Sequence, residues 1–439
     1  MKRWQTWALL ALVMGMPHAA GAVTLEHCLE LARTHAPTLA QADADVARAH
    51  GAIHEAGAAR KPTLRFDASY TQNSEPQEQE FSLPGLPPQT IKIGAANLLD
   101  LKTEARYTLY SSGLNPARVR AAQAGERAQM SARQQADADL TLRVSQAFYR
   151  ELGALRLIYA ANEALTSARS HLRVANARVQ AGVSPKLDAL RANVDASERE
   201  VQLARAQEAR AVARTELETA IGMALDPADT LEAPPAPESA FPDSVAALQQ
   251  ALAARPEIAS LDHQIAQARE QASAAHAEHL PQVSLSGTAE YRAPNKNDAF
   301  FNFQDAGLKT YNLFAGVALT MPIFDGGVSG ARVEQFQAQQ TALEARRRAQ
   351  TLDVQLEVAQ ALSDLRVATV QWQTVESRLA SAIEAVRLSD ETYKGGTGTA
   401  TEVLDAVSDL AEARVAEAQA LIGYWSARAE LDHATGKER

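Results

Sequence analysis

The 439 residues exceed the length of a typical single domain and carry 43 Lys and Arg against 53 Asp and Glu. The resulting formal charge of −10 argues against nucleic acid as a partner. Cys28 is the only cysteine, which excludes an internal disulfide.

Met1-Lys2-Arg3, the apolar run from Trp7 to Met16 and the small residues Ala20-Gly21-Ala22 read as a signal peptide over 1–22. The apolar run is too short for a membrane-spanning helix. Removing Lys2 and Arg3 with it takes the formal charge from −10 to −12. Thr24 is then placed to cap a first helix. After Pro37, a stripe of Leu39, Ala42, Val46, Ala49 and Ile53 steps by threes and fours, as one face of a second helix does. Pro62 ends it.

Leu64, Phe66, Ala68 and Tyr70 alternate with Arg65, Asp67, Ser69 and Thr71, which predicts a strand at about 63–72 with one apolar face. A polar loop over about 73–97 leads to a second strand at about 101–110, where Thr103, Ala105, Tyr107 and Leu109 share a face. Asn115-Pro116 reads as a helix cap followed by proline at the first helical position. No proline follows before Ala181, so about 100 Å of helix is expected at 1.5 Å per residue. A reversal at Gly182-Val183-Ser184 returns the chain, completing a helical hairpin over 116–221.

The proline-bearing segment 226–243 separates a first unit, 23–225, from a second, 244–439. The second repeats the order, with strands at about 282–292 and 310–321 and a helical hairpin over 330–435 that reverses at Gly396-Thr397-Gly398. A shift of about 219 residues puts Leu29 on Leu248, Pro37 on Pro256 and Pro62 on Pro281. Beyond the polar loop, a shift of about 214 puts Gly113 on Gly327, Gly182 on Gly396, Asp188 on Glu402 and Gly222 on Gly436. The period is far longer than the roughly 20–50 residues of solenoid repeats, so this is one duplicated unit.

Strands of about ten residues have the length a tilted strand needs to cross a bilayer, and an ordinary hairpin on a helical domain is the other reading. Four strands do not close a barrel, and lipid tolerates no open edge, so membrane-spanning strands would require several chains to share one barrel. The long helices, rich in Ala, Gln, Arg and Glu, are too slender to bury a core alone and likewise require neighbours.

No catalytic constellation is legible. Gly395-Gly396-Thr397-Gly398 follows a helix and lacks the Lys-Ser/Thr ending of a phosphate loop. His276 and His279 are three apart on a helix but have no third ligand nearby, so they read as solvent-exposed residues. The expectation is a protein that is not an enzyme and holds no cofactor and no metal.

The ordered set of motifs resembles the TolC family of outer-membrane efflux and secretion ducts. It comprises the helix openings around Leu29 and Leu248, Leu280-Pro281-Gln282-Val283-Ser284-Leu285-Ser286-Gly287, and Pro322-Ile323-Phe324-Asp325-Gly326-Gly327. The two tips, Gly182…Asp188…Leu190 and Gly396…Glu402…Leu404-Asp405, complete it. The resemblance implies a mainly helical fold in which four strands per chain join a shared trimeric transmembrane β-barrel, above a periplasmic α-barrel. It also implies a homotrimer in the outer membrane of a Gram-negative bacterium, in contact with its lipid. There it would serve as the passive exit duct for an inner-membrane transporter and its periplasmic adaptor, a membrane fusion protein.

By the same resemblance, Glu402 and Asp405 match an acidic ring at the periplasmic mouth. Asp188 and Tyr393 match residues that tie the tip coils together. Gly182, Val183 and Ser184 with Gly396, Thr397 and Gly398 match the adaptor-docking tips, and Gly113, Gly326 and Gly327 the strand-to-helix junctions. A basic partner expected five residues after Tyr393 is missing, because Gly398 stands there; Lys394 or Lys186 is left to replace it. The alternative class is a soluble periplasmic helical scaffold or adaptor bridging two membranes.

Overall fold

The computed structural model describes residues 22–72, 74, 77–81, 85, 89–93, 97–227, 229–238, 241–294 and 310–437. Apart from the backbone of Ala22, the leader read at 1–22 lies outside them. The elements run β1 (Ala22–Val23), α1 (Leu25–His35), α2 (Pro37–Ala58), β2 (Thr63–Gln72), β3 (Gln77–Phe81), β4 (Gln89–Ile93), β5 (Asn97–Tyr110), α3 (Leu114–Gln180) and α4 (Lys186–Ile221). They continue with β6 (Thr230–Leu231), α5 (Ser244–Ala254), α6 (Pro256–Ala277), β7 (Gln282–Pro294), β8 (Thr310–Thr320), α7 (Val328–Lys394) and α8 (Ala400–Ala434).

The duplication is visible in element lengths. Helices α1 and α5 have 11 residues each, α2 and α6 have 22, α3 and α7 have 67, and α4 and α8 have 36 and 35. The fold is therefore mainly helical, with a four-stranded sheet and an internal repeat. Compaction does not follow the sequence halves: one unit takes residues 1–43, 132–258 and 349–439, the other 44–131 and 259–348. Each unit draws on both copies of the repeat.

The first unit has its core where α1, α3 and α4 meet, around Cys28, Leu29, Val144, Phe148, Leu217 and Ile221. Each large apolar side chain buried there contributes roughly 1.5–3 kcal/mol. Thr24 caps α1 by accepting from the His27 N–H at 3.1 Å. Burial, and then the nearby Glu151 carboxylate, pushes the Cys28 thiol up to about 12, so it stays protonated and unreactive. Glu151 is itself buried and accepts from Arg214 at 3.2 Å, with Arg210 3.9 Å away as a second cation and Glu218 holding Arg214 at 3.3 Å. A second cluster, around Val354, Leu362, Leu365, Tyr424 and Leu431, packs α7 and α8 with α5. The proline-bearing segment is anchored: β6 pairs in parallel with β1, and the Glu238 N–H donates to the Tyr424 hydroxyl at 3.0 Å.

In the second unit, the sheet order is β2-β5-β7-β8, every neighbouring pair antiparallel. Two local expectations are corrected there. Asn115 does not cap α3; it is the second helical residue, its side chain donates to the Ala59 carbonyl at 3.2 Å, and the Ser111 hydroxyl accepts its N–H at 3.3 Å. The segment expected to be a polar loop contains the antiparallel pair β3–β4 in its described part. Its polar strands carry too little apolar alternation to announce themselves.

Candidate functional site

The sheet has two chemically opposite faces, set by register. Leu64, Ala105, Gly287 and Ala315 form one cross-strand row; Phe66, Thr103, Ala289 and Leu313 form the next; Ala68, Leu101, Tyr291 and Tyr311 the third. Residues in a row share a face, so an apolar surface crosses all four strands. The rows that alternate with them are polar but for one aromatic: Arg65, Glu104, Thr288 and Phe314, then Asp67, Lys102, Glu290 and Asn312, then Ser69, Asp100 and Arg292. On that face Arg106 pairs with Glu104 at 3.0 Å, and Arg292 with Asp100 at 3.4 Å.

Among the described residues, the apolar face is uncovered. Leu64 is 76% exposed, Phe66 65% and Leu313 87%. A contiguous apolar surface of this kind marks contact with lipid or another chain. From Leu99 to Leu109, β5 runs about 34 Å along the strand, or about 25 Å high at the 35–45° tilt of outer-membrane strands. Tyr70, Tyr291 and Tyr311 lie toward one end of this band and Tyr107 toward the other, where interfacial aromatics belong. The outer strands β2 and β8 each leave one edge unpaired within the sheet.

The two helix reversals, both in the first unit, use one turn design. Gly182 sits at φ +74° and Gly396 at +79°. The next residue's N–H reaches back five positions in each, Val183 to the Arg178 carbonyl at 3.0 Å and Thr397 to the Thr392 carbonyl at 3.0 Å. This is the Schellman closure, in which left-handed glycine satisfies the last helical carbonyls. Ser184 donates to Asp188 Oδ2 at 2.6 Å, which orders the first turn of α4.

At the second tip, Thr399 and Glu402 form a capping box: the Glu402 N–H donates to Thr399 Oγ1 at 3.3 Å, and the Thr399 N–H to Glu402 Oε2 at 3.0 Å. Glu402 therefore has a local structural task. Asp405, one turn later, is exposed. Gly398 also has a local cause: its N–H bonds the Thr392 carbonyl at 3.0 Å, and a Cβ there would stand 2.7 Å from Thr392 Oγ1 and 3.0 Å from the Tyr393 nitrogen. A basic side chain has no room to start at this position.

The cation on Tyr393 comes instead from α3. Arg178 Nη1 donates to the Tyr393 carbonyl at 3.0 Å, and its guanidinium carbon lies 4.4 Å from the ring centre. Lys394 is engaged elsewhere, pairing with Asp390 at 2.5 Å. Tyr393 is 3% exposed and packs with Val403 and Val407. His171 stands beside it, ring centres 5.6 Å apart. Among the described residues, neither Tyr393 Oη nor His171 Nε2 has a hydrogen-bond partner, so Asp188 and Tyr393 are not hydrogen-bonded to each other. Burial pushes the His171 imidazole below its ordinary 6.5, against the pull of the Asp195, Asp390 and Asp188 carboxylates.

The junction glycines Gly113, Gly326 and Gly327 have φ of +92°, +68° and +87°. Asp325 caps the start of α7, accepting from the Gly327 and Ser329 N–H groups at 2.9 Å each. Hydrogen bonds from Ser329, side chain first, and from Gly327 hold the Asp325 carboxyl down at about 2. Among the described residues, no helix is long and apolar enough to cross a membrane.

Sequence reasoning missed Arg178 and His171. The one available signal for Arg178 was its place in the last turn of α3, which favours a cation. Its partner lies 215 residues away, and its repeat counterpart is Thr392.

Residues 28–223 and 247–437 match a protein-family model described as Outer membrane efflux protein. Protein CyaE of Bordetella pertussis is 27% identical over 401 residues, spanning 89% of this chain and 79% of its own length. The pyoverdine export outer membrane protein OpmQ of Pseudomonas aeruginosa is 26% identical over 420 residues, 93% of this chain and 85% of its own. Among solved structures, the outer-membrane channel OprN superposes with a TM-score of 0.77 at 21% identity, covering 94% of this chain and 90% of that one. The outer membrane protein VceC of Vibrio cholerae gives 0.75 at 22% identity, covering 94% and 96%. At these identities the structural likeness speaks for the fold.

Proposed function

Since the chain belongs to the outer membrane efflux protein family, we propose that it is the outer-membrane exit duct of a tripartite efflux or type I secretion system. It conducts substrate passively, without catalysis, while an inner-membrane transporter supplies the energy and a periplasmic adaptor docks on the tips around Gly182-Val183-Ser184 and Gly396-Thr397-Gly398.

The observation that carries this reading is the exposed apolar sheet face with its two open edges. A soluble scaffold gains nothing from presenting Leu64, Phe66, Leu313 and Leu319 to water. In lipid, each unpaired backbone group costs several kcal/mol, so the edges of β2 and β8 need strands from other copies. Three copies supply twelve strands, an even number within the range of closed outer-membrane barrels. In that assembly the face carrying Lys102, Glu104, Arg106, Glu290 and Arg292 lines the lumen. At the tips, Glu402 and Asp405 from three copies would ring the mouth with carboxylates, which favours cations.

Fractionation and native mass spectrometry test this. The protein is expected in the outer-membrane fraction, released only by detergent, at three chains per particle. A detergent-independent monomer or dimer contradicts the reading.

A further inference from the structure

We propose that His50 and His54 form a binding site for a borderline divalent cation of the zinc, nickel or copper class. Both lie on α2, four residues apart, so their side chains stack on one face of the helix. Their Nε2 atoms are 3.2 Å apart. Two imidazole nitrogens held by one zinc at about 2.0–2.1 Å, at a tetrahedral angle, stand about 3.3 Å from each other. The pair thus already spans one edge of a coordination tetrahedron, with its rings nearly perpendicular at 85°.

The far side of His50 is equally specific. Its Nδ1 lies 2.7 Å from Glu126 Oε1 on α3. With the proton on Nδ1 donated to this carboxylate, the Nε2 lone pair points at His54. A carboxylate behind a ligating histidine fixes the tautomer and raises the basicity of the metal-facing nitrogen. Glu126 is largely covered, with its side chain 17% exposed, whereas the His50 side chain is 60% exposed. The support is held in the protein and the ligand faces solvent.

Without metal, the short contact is an N–H···N hydrogen bond from His54 Nε2 to His50 Nε2. Binding requires only that His54 move its proton from Nε2 to Nδ1, after which both Nε2 lone pairs meet the cation and no net proton leaves. Imidazole suits zinc, nickel and copper, whereas magnesium and calcium prefer oxygen. Among the described residues, no group of three or more His, Cys, Asp or Glu is arranged for a metal. Water therefore completes the shell, and the site is open and exchanging.

Among the described residues, the arrangement occurs once. The repeat counterparts of His50 and His54 are Arg269 and Ser273. His276 and His279 show a similar edge-to-face ring pair at 4.8 Å. Among the described residues, however, they make neither a nitrogen–nitrogen contact nor a carboxylate contact, and so serve as an internal control.

The test is calorimetric titration of zinc chloride into the full-length mature protein, detergent-solubilised and purified without a histidine tag. One zinc per chain is expected, with magnesium chloride giving no signal. Supporting carboxylates are worth about 10–100-fold in affinity, so Glu126→Gln should weaken binding by about tenfold. His50→Ala and His54→Ala should each cost more, at least about 100-fold, and His276→Ala should cost nothing. Both histidines are exposed, and circular dichroism confirms that each variant is folded. Zinc binding that is absent from the wild type, or undiminished in the His50→Ala/His54→Ala double variant, overturns the site.

Discussion

Arg178 closes over Tyr393 across 215 residues of sequence, donating to its carbonyl at 3.0 Å and standing 4.4 Å from its ring centre. A partly desolvated cation–π contact of this kind is worth about 2 kcal/mol. Arg178→Ala is therefore expected to raise amide hydrogen exchange at 392–398 by roughly thirty-fold if the contact limits opening of the tip. Arg178→Lys should recover only part, because an ammonium lacks the flat, forked geometry. Tyr393→Phe should change little, since the hydroxyl has no partner within the described chain. Unchanged exchange in Arg178→Ala would remove this contact from any latch.

In the proposed duct, the acidic pair at the second tip has two separable roles, a ring of carboxylates and the observed capping box. Glu402→Gln with Asp405→Asn keeps the side chains that the capping box needs and removes both charges, so cation selectivity should fall while the trimer and its melting temperature hold. Thr399→Ala does the reverse. It should cost about 1 kcal/mol of local helix stability and leave selectivity alone. Selectivity that survives the double amide variant counts against the carboxylate ring.

The lowered His171 imidazole predicts a tip that is sensitive to acid. The imidazole's folded-state pKa lies below the ordinary 6.5, so on acidification the opened state takes up the proton first. Stability from the neutral imidazole is present above about pH 6.5 and is lost as pH falls below it. Exchange at 392–398 should rise between pH 7.5 and 5.5, once corrected for the intrinsic pH dependence of exchange. The rise should be smaller in His171→Asn, which does not titrate. An equal rise in both proteins would contradict the assignment to His171.

Two left-handed glycines differ in one respect that a melting curve resolves. A Cβ on Gly182, at φ +74°, meets nothing within 4 Å, while one on Gly222, at φ +87°, stands 2.7 Å from the His35 carbonyl oxygen. Gly182→Ala should cost only the left-handed strain, about 1–2 kcal/mol. Gly222→Ala adds a collision with backbone where α4 ends against α1, and should cost clearly more. Equal costs would mean that the chain end of α4 yields freely.

The architecture was legible because its signals are local. Gly182 and Gly396 punctuate the same turn twice, and Leu64, Phe66, Ala68 and Tyr70 state their strand's apolar face by alternation alone. Tip chemistry was less legible because its partners are remote. Nothing near Tyr393 points to Arg178, and Gly398 reads as a missing cation until its close approach to Thr392 and Tyr393 is seen. Glu402 reads equally as a channel charge or a helix cap, and only the paired hydrogen bonds with Thr399 reveal the second task. His50 and His54 had a readable spacing, but the nitrogen contact and Glu126 behind it depend on rotamers and on a second helix.

The most direct test of the duct is single-channel recording from the detergent-extracted protein in a planar bilayer. The account predicts small, cation-selective openings from a trimer, with selectivity reduced by Glu402→Gln/Asp405→Asn. A folded, homogeneous preparation that inserts no conductance would contradict it, and the apolar face of β2, β5, β7 and β8 would then have to be covered by something other than lipid.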